Sequence, residues 1–199
     1  MKYWMINNVG RIQALVDFWD IKAGDVGEVI PHDTKLPGQE TRVWICSDTR
    51  IGNNVVIGDN VYIGNDVHIG NTVYIGNSVR IGNDACIGND VRIEKGINIG
   101  NDVNIGKGIK IGPLSDITNG KFIQFNSVGV HGRCVLMYWH DHSARVSVGC
   151  QMGISFDKFI HRINYAVGTT VESANMYMSM IPLFEMARDH ITKVNSKSA

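Results

Sequence analysis

This chain is poor in the features that mark many functional classes. Lys and Arg together exactly balance Asp and Glu, at 19 each. A polyanion binder needs a basic excess to neutralise phosphates, so a nucleic-acid polymer is not an expected partner. There are four cysteines, Cys46, Cys86, Cys134 and Cys150, widely spaced and without a Cys-x-x-Cys. They read as reduced, structural thiols rather than a zinc set or a disulfide frame. No apolar run approaches a membrane span, and the N-terminus lacks a charged-then-apolar leader. The expected setting is therefore the cytoplasm, away from membranes. Four prolines and few aromatics argue against a large ring-filled core.

What is present is a period of six. Fourteen isoleucines recur every sixth residue from Ile45 to Ile123. From Ile51 to Ile111 the unit is close to Ile-Gly-Asn-Asp-Val-x. The first and fifth residues of each hexad are β-branched and apolar, which suits short parallel strands facing a narrow interior. The Gly-Asn-Asp segment suits a corner, where positive φ is tolerated. Three sides close a triangular coil of eighteen residues, and an apolar coil must be covered by its neighbours and capped at both ends. Glu94 is the single break in the glycine series between Gly52 and Gly112.

These hexads resemble the left-handed parallel β-helix of the hexapeptide-repeat superfamily. A narrower resemblance, to uncharacterised bacterial and phage hexapeptide-repeat proteins, rests on RIQALVDFWDIKAGDVGEVI at 11–30, the Ile111-Gly112-Pro113 exit, and the segment from Gly149-Cys150 to Phe159. Gln151 and Ile154-Ser155 depart from that pattern. The expected fold is mainly β: an N-terminal β cap over 1–44, a left-handed β-helix over 45–128, and a C-terminal β-hairpin with α-helices over 129–199. The hairpin is predicted at Cys134–His140 and Ala144–Cys150, and a helix at 155–166. A second helix is predicted from about 171 to 194, opened by a Thr169/Glu172 capping box and kinked or split at Pro182. Its two apolar stripes are Ala174, Tyr177, Met178, Ile181, Phe184 and Ile191, and Met176, Met180, Leu183 and Met186. One suits its own β-helix and the other a second subunit. The resemblance implies a homotrimer.

The outward sixth positions form ladders eighteen residues apart: Trp44-Tyr62-Arg80-Asn98, Val56-Tyr74-Arg92-Lys110 and Arg50-His68-Cys86-Asn104. An arginine above a ring is a cation–π pair. Ring and guanidinium together are also what a base and a phosphate require. Tyr62, Arg80, Tyr74, Arg92, His68 and Trp44 are therefore the candidate ligand-binding residues, for a small anionic, nucleotide-like molecule. The alternative role of such ladders is to cover a prism face or a subunit contact.

Superfamily acyltransferases commonly use a histidine base at a subunit cleft, near a loop extruded between hexads, with acetyl-CoA as donor. His68 and His131 are the weak candidates here, and the unbroken repeat from Ile45 to Ile123 counts against them. His140-Asp141-His142 reads as a solvated turn rather than a metal site, and Cys150 as a buried thiol. The reading is a non-catalytic homotrimer binding a small anion, without cofactor. A phage-encoded member could sequester a host signalling nucleotide in the host cytoplasm. An acyl- or nucleotidyl-transferase and a purely structural spacer are the alternatives.

Overall fold

A computed structural model describes residues 1–112, 116–118, 122–128, 133–140, 143–148, 151–165 and 178–196. The hexads build a parallel β-helix of about four turns. Its three faces carry strands of two or three residues, each paired in register with the strand eighteen positions on: Tyr62 with Arg80, Tyr74 with Arg92, His68 with Cys86. Within the repeat the first and fifth positions point inward as predicted. Ile63, Ile69, Ile75, Ile81, Ile93, Ile99, Ile105 and Ile111 are 0% exposed, and the valines between them no more than 1%. Only Ile51, in the lowest coil, is half-exposed.

The corner chemistry divides between neighbouring residues. The left-handed backbone falls on the fourth residue of each hexad: Asp48, Asn54, Asn60, Asp66, Thr72, Ser78, Asp84, Asp90 and Asp102 have φ between 55° and 62°. Where Gly96 and Gly108 take this place, φ is 71°. Asn and Asp tolerate that region better than other side chains. The second-position glycine serves a different need, close approach of coils. A Cβ on Gly64 would collide with the Asn83 side-chain oxygen and lie 2.8 Å from the backbone of Gly82 and Asn83. The third-position asparagines tie coil to coil. The backbone N–H groups of Asn53, Asp59, Asn65, Asn71 and Asn83 donate to the side-chain oxygens of Asn71, Asn77, Asn83, Asn89 and Asn101, at 2.7–3.0 Å. Corner amides add backbone bonds to the coil below, such as Thr72 to Asn53 at 2.8 Å.

The N-terminal cap is a three-stranded antiparallel sheet of Trp4–Ile6, Arg11–Ala14 and Val26–Val29. Trp4, Ile12, Ala14, Phe18 and Ile21 close the bottom of the prism. Asp33 accepts the Asn54 amide at 2.8 Å, and Lys35 bridges Val56 in parallel, so the cap begins the stacking before the first hexad.

At the other end the parallel rungs stop at Ile117. Phe122–Val128, expected to continue the prism to residue 128, instead pairs antiparallel with Arg133–His140. Isoleucine keeps its phase at 117 and 123, but Thr118 and Gln124 replace the glycine that lets coils approach closely, and Phe122–Val128 leaves the parallel stack. The hairpin is present as Arg133–His140 and Ser143–Val148, and Gln151–Ser155 extends it to a larger sheet. Leu136 and Tyr138 close the top of the prism, while Val135, Met137 and Val146 join a second core with the helices.

Helix α1 is Phe156–Tyr165 and helix α2 is Ile181–Ser196. Pro182 sits in the first turn of α2, after a turn at Met180, where its missing N–H costs little. The Thr169/Glu172 capping box lies outside the described residues. Within and just before α2 the two predicted stripes separate into a buried and an exposed face, with Met178 and Met180 exchanging sides. Phe184, Ala187 and Ile191 are buried, and Met180 and Ile181 pack beside them. Met178, Leu183 and Met186 are exposed, at 45%, 46% and 69%.

Two stability changes follow from the corners. Thr72 is a β-branched residue held in the left-handed region, so Thr72→Asn is expected to stabilise by about 1 kcal/mol. Gly64→Ala is expected to destabilise by about 1–3 kcal/mol through the coil-to-coil clash. Equilibrium denaturation of both variants checks the pair.

Candidate functional site

Because the hexad phase is fixed by the buried isoleucines, each sixth residue has no freedom to face anything but outward. Two ladders therefore set an arginine on a tyrosine, as the spacing predicts. The Arg80 Cζ lies 4.6 Å from the Tyr62 ring centroid and the Arg92 Cζ 4.3 Å from that of Tyr74. The two pairs occupy different faces and do not form one site.

Their surroundings differ. Arg92 Nε also donates to Glu94 Oε1 at 2.6 Å, so an internal carboxylate already occupies its inner edge. Glu94 is the residue that interrupts the glycine series. Arg80 instead lines a surface cleft of about 610 Å³ with Gly82, Asn98, Gly100, Asn101, Asp102 and Thr118. The guanidinium rests on a ring, and the cleft beside it is lined by amide and hydroxyl side chains and by the Asp102 carboxylate.

Trp44 and Tyr62 are not available as the ladder suggested. Trp44 is 4% exposed and packs on Phe18, ring centroids 6.1 Å apart. Its hexad phase is outward, but the N-terminal cap covers it. Tyr62 is half-buried. Trp19 of the cap meets it edge-on at 6.0 Å, and the Cys46 thiol donates to its hydroxyl at 3.3 Å. Burial pushes both the Cys46 thiol and the Tyr62 phenol above their ordinary values, with their mutual hydrogen bond lowering the first and raising the second. Tyr62 acts as a pedestal for Arg80 and a seat for the cap.

The third face carries His68, exposed, between Arg50 below and Cys86 above. A groove of about 460 Å³ is lined there by Glu28, Asp48, Thr49, Arg50, Asp66, Val67 and His68. The Thr49 hydroxyl is turned away, bonded to the Cys46 and Gly64 carbonyls. Three carboxylates against one guanidinium make this groove acidic. His131, Asp141, His142 and Cys150 lie outside the described residues, and among the described residues no group of three His, Cys, Asp or Glu side chains is arranged to hold a metal. Trp19, Asn101 and Thr118 were not legible as site residues. Trp19 comes from a cap without a repeat, while Asn101 and Thr118 flank the ladder rather than standing in it.

The bacterial transferase hexapeptide family (six repeats) matches residues 48–83 and 61–95. The match lies wholly within the coils and touches neither end segment on which a narrower relationship would rest. No curated protein matches the chain. No helix among the described residues is long and apolar enough to cross a membrane.

The Cys46–Tyr62 pair gives the cap a pH dependence. In the unfolded chain the thiol ionises near its ordinary value of 9.0, before it can do so when folded. The stability that the pair contributes is therefore complete below about pH 9 and is lost as pH rises. Urea midpoints measured between about pH 8 and pH 10 are expected to fall, and to fall less steeply in Cys46→Ala.

Proposed function

We propose that this protein, whose coils match the hexapeptide-repeat family over residues 48–95, binds a small anionic, nucleotide-like molecule without turning it over. The observation that carries this reading is Arg80. Its guanidinium is laid on the Tyr62 ring, 4.6 Å from the centroid, at the floor of an open polar cleft. A cation already held in one orientation loses little freedom when a ligand binds, and its planar fork suits a phosphate or carboxylate. Asn98 and Thr118 line the same cleft beside Asp102 and offer neutral hydrogen-bonding groups. The paired Arg92 is a poorer anchor, because Glu94 competes for it.

Binding without turnover is supported by the continuity of the coils. The described rungs follow one another at six-residue intervals from Ile45 to Ile111 with no extruded loop, and no histidine lines the Arg80 cleft. A homotrimer belongs to the same reading. Met178, Leu183 and Met186 expose an apolar strip on and beside α2 that a neighbouring subunit would cover. If the protein is phage-encoded, its role would be to sequester a host signalling nucleotide in the host cytoplasm.

A transferase reading has one observation in its favour beyond the name of the matched family. His68 stands exposed in a groove with carboxylates from Asp48 and Asp66, where it could take a proton from an acceptor. In that case acetyl-CoA would be the donor and His68 the base.

Two measurements decide between these. Thermal shift with mononucleotides and cyclic nucleotides is expected to stabilise the wild type, by about 2.7 kcal/mol at a hundredfold excess over Kd. Arg80→Gln is expected to abolish the shift, and Arg92→Gln to leave most of it. Absence of any shift across the panel overturns the binding reading. Hydrolysis or transfer from acetyl-CoA that disappears in His68→Ala establishes the transferase instead.

A further inference from the structure

The structure buries Trp44, half-buries Tyr62 and Tyr74, and presents a different aromatic residue. Trp19 belongs to the N-terminal cap, yet it is 45% exposed. It is also the only residue outside the hexad corners, among those described, with a side chain and a left-handed backbone, at φ 52°. Phe18 and Ile21 exchange both backbone hydrogen bonds at 3.0 Å, so Trp19 and Asp20 are the two central residues of a tight turn. A positive φ at the first central residue is the slot that glycine normally fills. A bulky aromatic there costs about 1–2 kcal/mol relative to a residue free of that penalty. The turn alone gives no reason for an indole.

Its position gives one. The Trp19 ring meets Tyr62 edge-on at 6.0 Å and Phe18 at 5.5 Å. The other side of the relay is Arg80, 4.6 Å from the same Tyr62 ring. Those two spacings laid end to end are the greatest possible separation of indole and guanidinium, a span that one mononucleotide covers from base to phosphate. Trp19 is not among the residues lining the Arg80 cleft, so a ligand would bridge from one to the other past Tyr62.

We propose that Trp19 is the stacking platform of the Arg80 site, so that the ligand sets its anionic group on Arg80 and a planar ring system on the exposed indole. This deepens the binding reading above and rests on it. It narrows the ligand class to molecules with both an anion and an aromatic heterocycle, and it explains a strained, exposed tryptophan held against the pedestal of the cation. Contact on a ring face is tolerant of the identity of the base, so Trp19 selects for planarity and leaves finer selection to the cleft.

The test compares AMP with ribose 5-phosphate, which keeps the anion and lacks the ring, by calorimetric titration of the full chain. Wild type is expected to bind AMP about tenfold or more tightly than ribose 5-phosphate. Trp19→Ala is expected to remove that preference by weakening AMP alone, and Trp19→Phe to retain most of it. Melting temperatures of the variants separate this from loss of the cap contact. A Trp19→Ala protein that melts earlier but keeps the AMP preference overturns the proposal and makes Trp19 a staple between cap and prism. If Arg80→Gln abolishes binding of both probes while Trp19→Ala changes neither, the Arg80 reading stands and the platform falls. If neither probe binds the wild type, both fall together.

Discussion

Everything in this molecule depends on the close stacking of one corner on the next. A coil of eighteen residues closes only if the chain turns sharply three times, and neighbouring coils bond only if those turns lie flat on each other. Three adjacent residues divide the task. Glycine removes the side chain that would separate the coils, as at Gly64 beneath Gly82 and Asn83. Asparagine supplies an oxygen for the amide of the coil below. The next residue accepts a left-handed backbone, at 55–62° where it is not glycine. The apolar column of isoleucine and valine then fills the interior without rings, and burial of that column is the main driving force. The corners set its register.

That register is why outward chemistry comes in ladders. Residues eighteen apart have no choice of neighbour, so a tyrosine followed eighteen positions later by an arginine becomes a cation–π pair on two faces alike. Similar pairs can still have different uses. At Glu94 the repeat loses its glycine and gains a carboxylate, which turns back onto Arg92. On the other face the glycines at 82 and 100 are retained, and Arg80 faces open space. One departure from the repeat thus separates a cation held by an internal carboxylate from one that lines an open cleft.

The coils were legible because their requirement is local and repeated: each Ile, Gly and Asn answers to its own corner. The limits of that legibility lie where segments without a repeat meet the prism. Trp44 has the outward phase of its hexad, and nothing between 43 and 63 reveals that Phe18 covers it. Ile117 and Ile123 keep the period, but Thr118 and Gln124 lack the glycine that lets one coil lie closely on the next, and the strand at Phe122–Val128 pairs antiparallel instead. Gln124 even retains part of the old function, accepting the Gly106 amide of the coil below at 2.9 Å. The split expected at Pro182 falls at the turn on Met180, but the apolar stripes do not reveal that Met178 is exposed while Phe184 is buried.

The same contrast bears on where selectivity can arise. A prism whose faces are fixed by eighteen-residue registry is rigid, and it offers each ligand group one position. Such a surface can pre-orient a cation, as Tyr62 does for Arg80, but a regular ladder cannot by itself build a pocket with walls of different chemistry. Asymmetry has to come from a segment outside the repeat. Here the cap supplies it. It covers Trp44, seats on Tyr62, and carries an exposed indole in a turn that would suit glycine better. The repeat thus holds the charge in place, and in the proposed binding role the N-terminal 44 residues would provide the irregular surface that lets that charge discriminate among ligands.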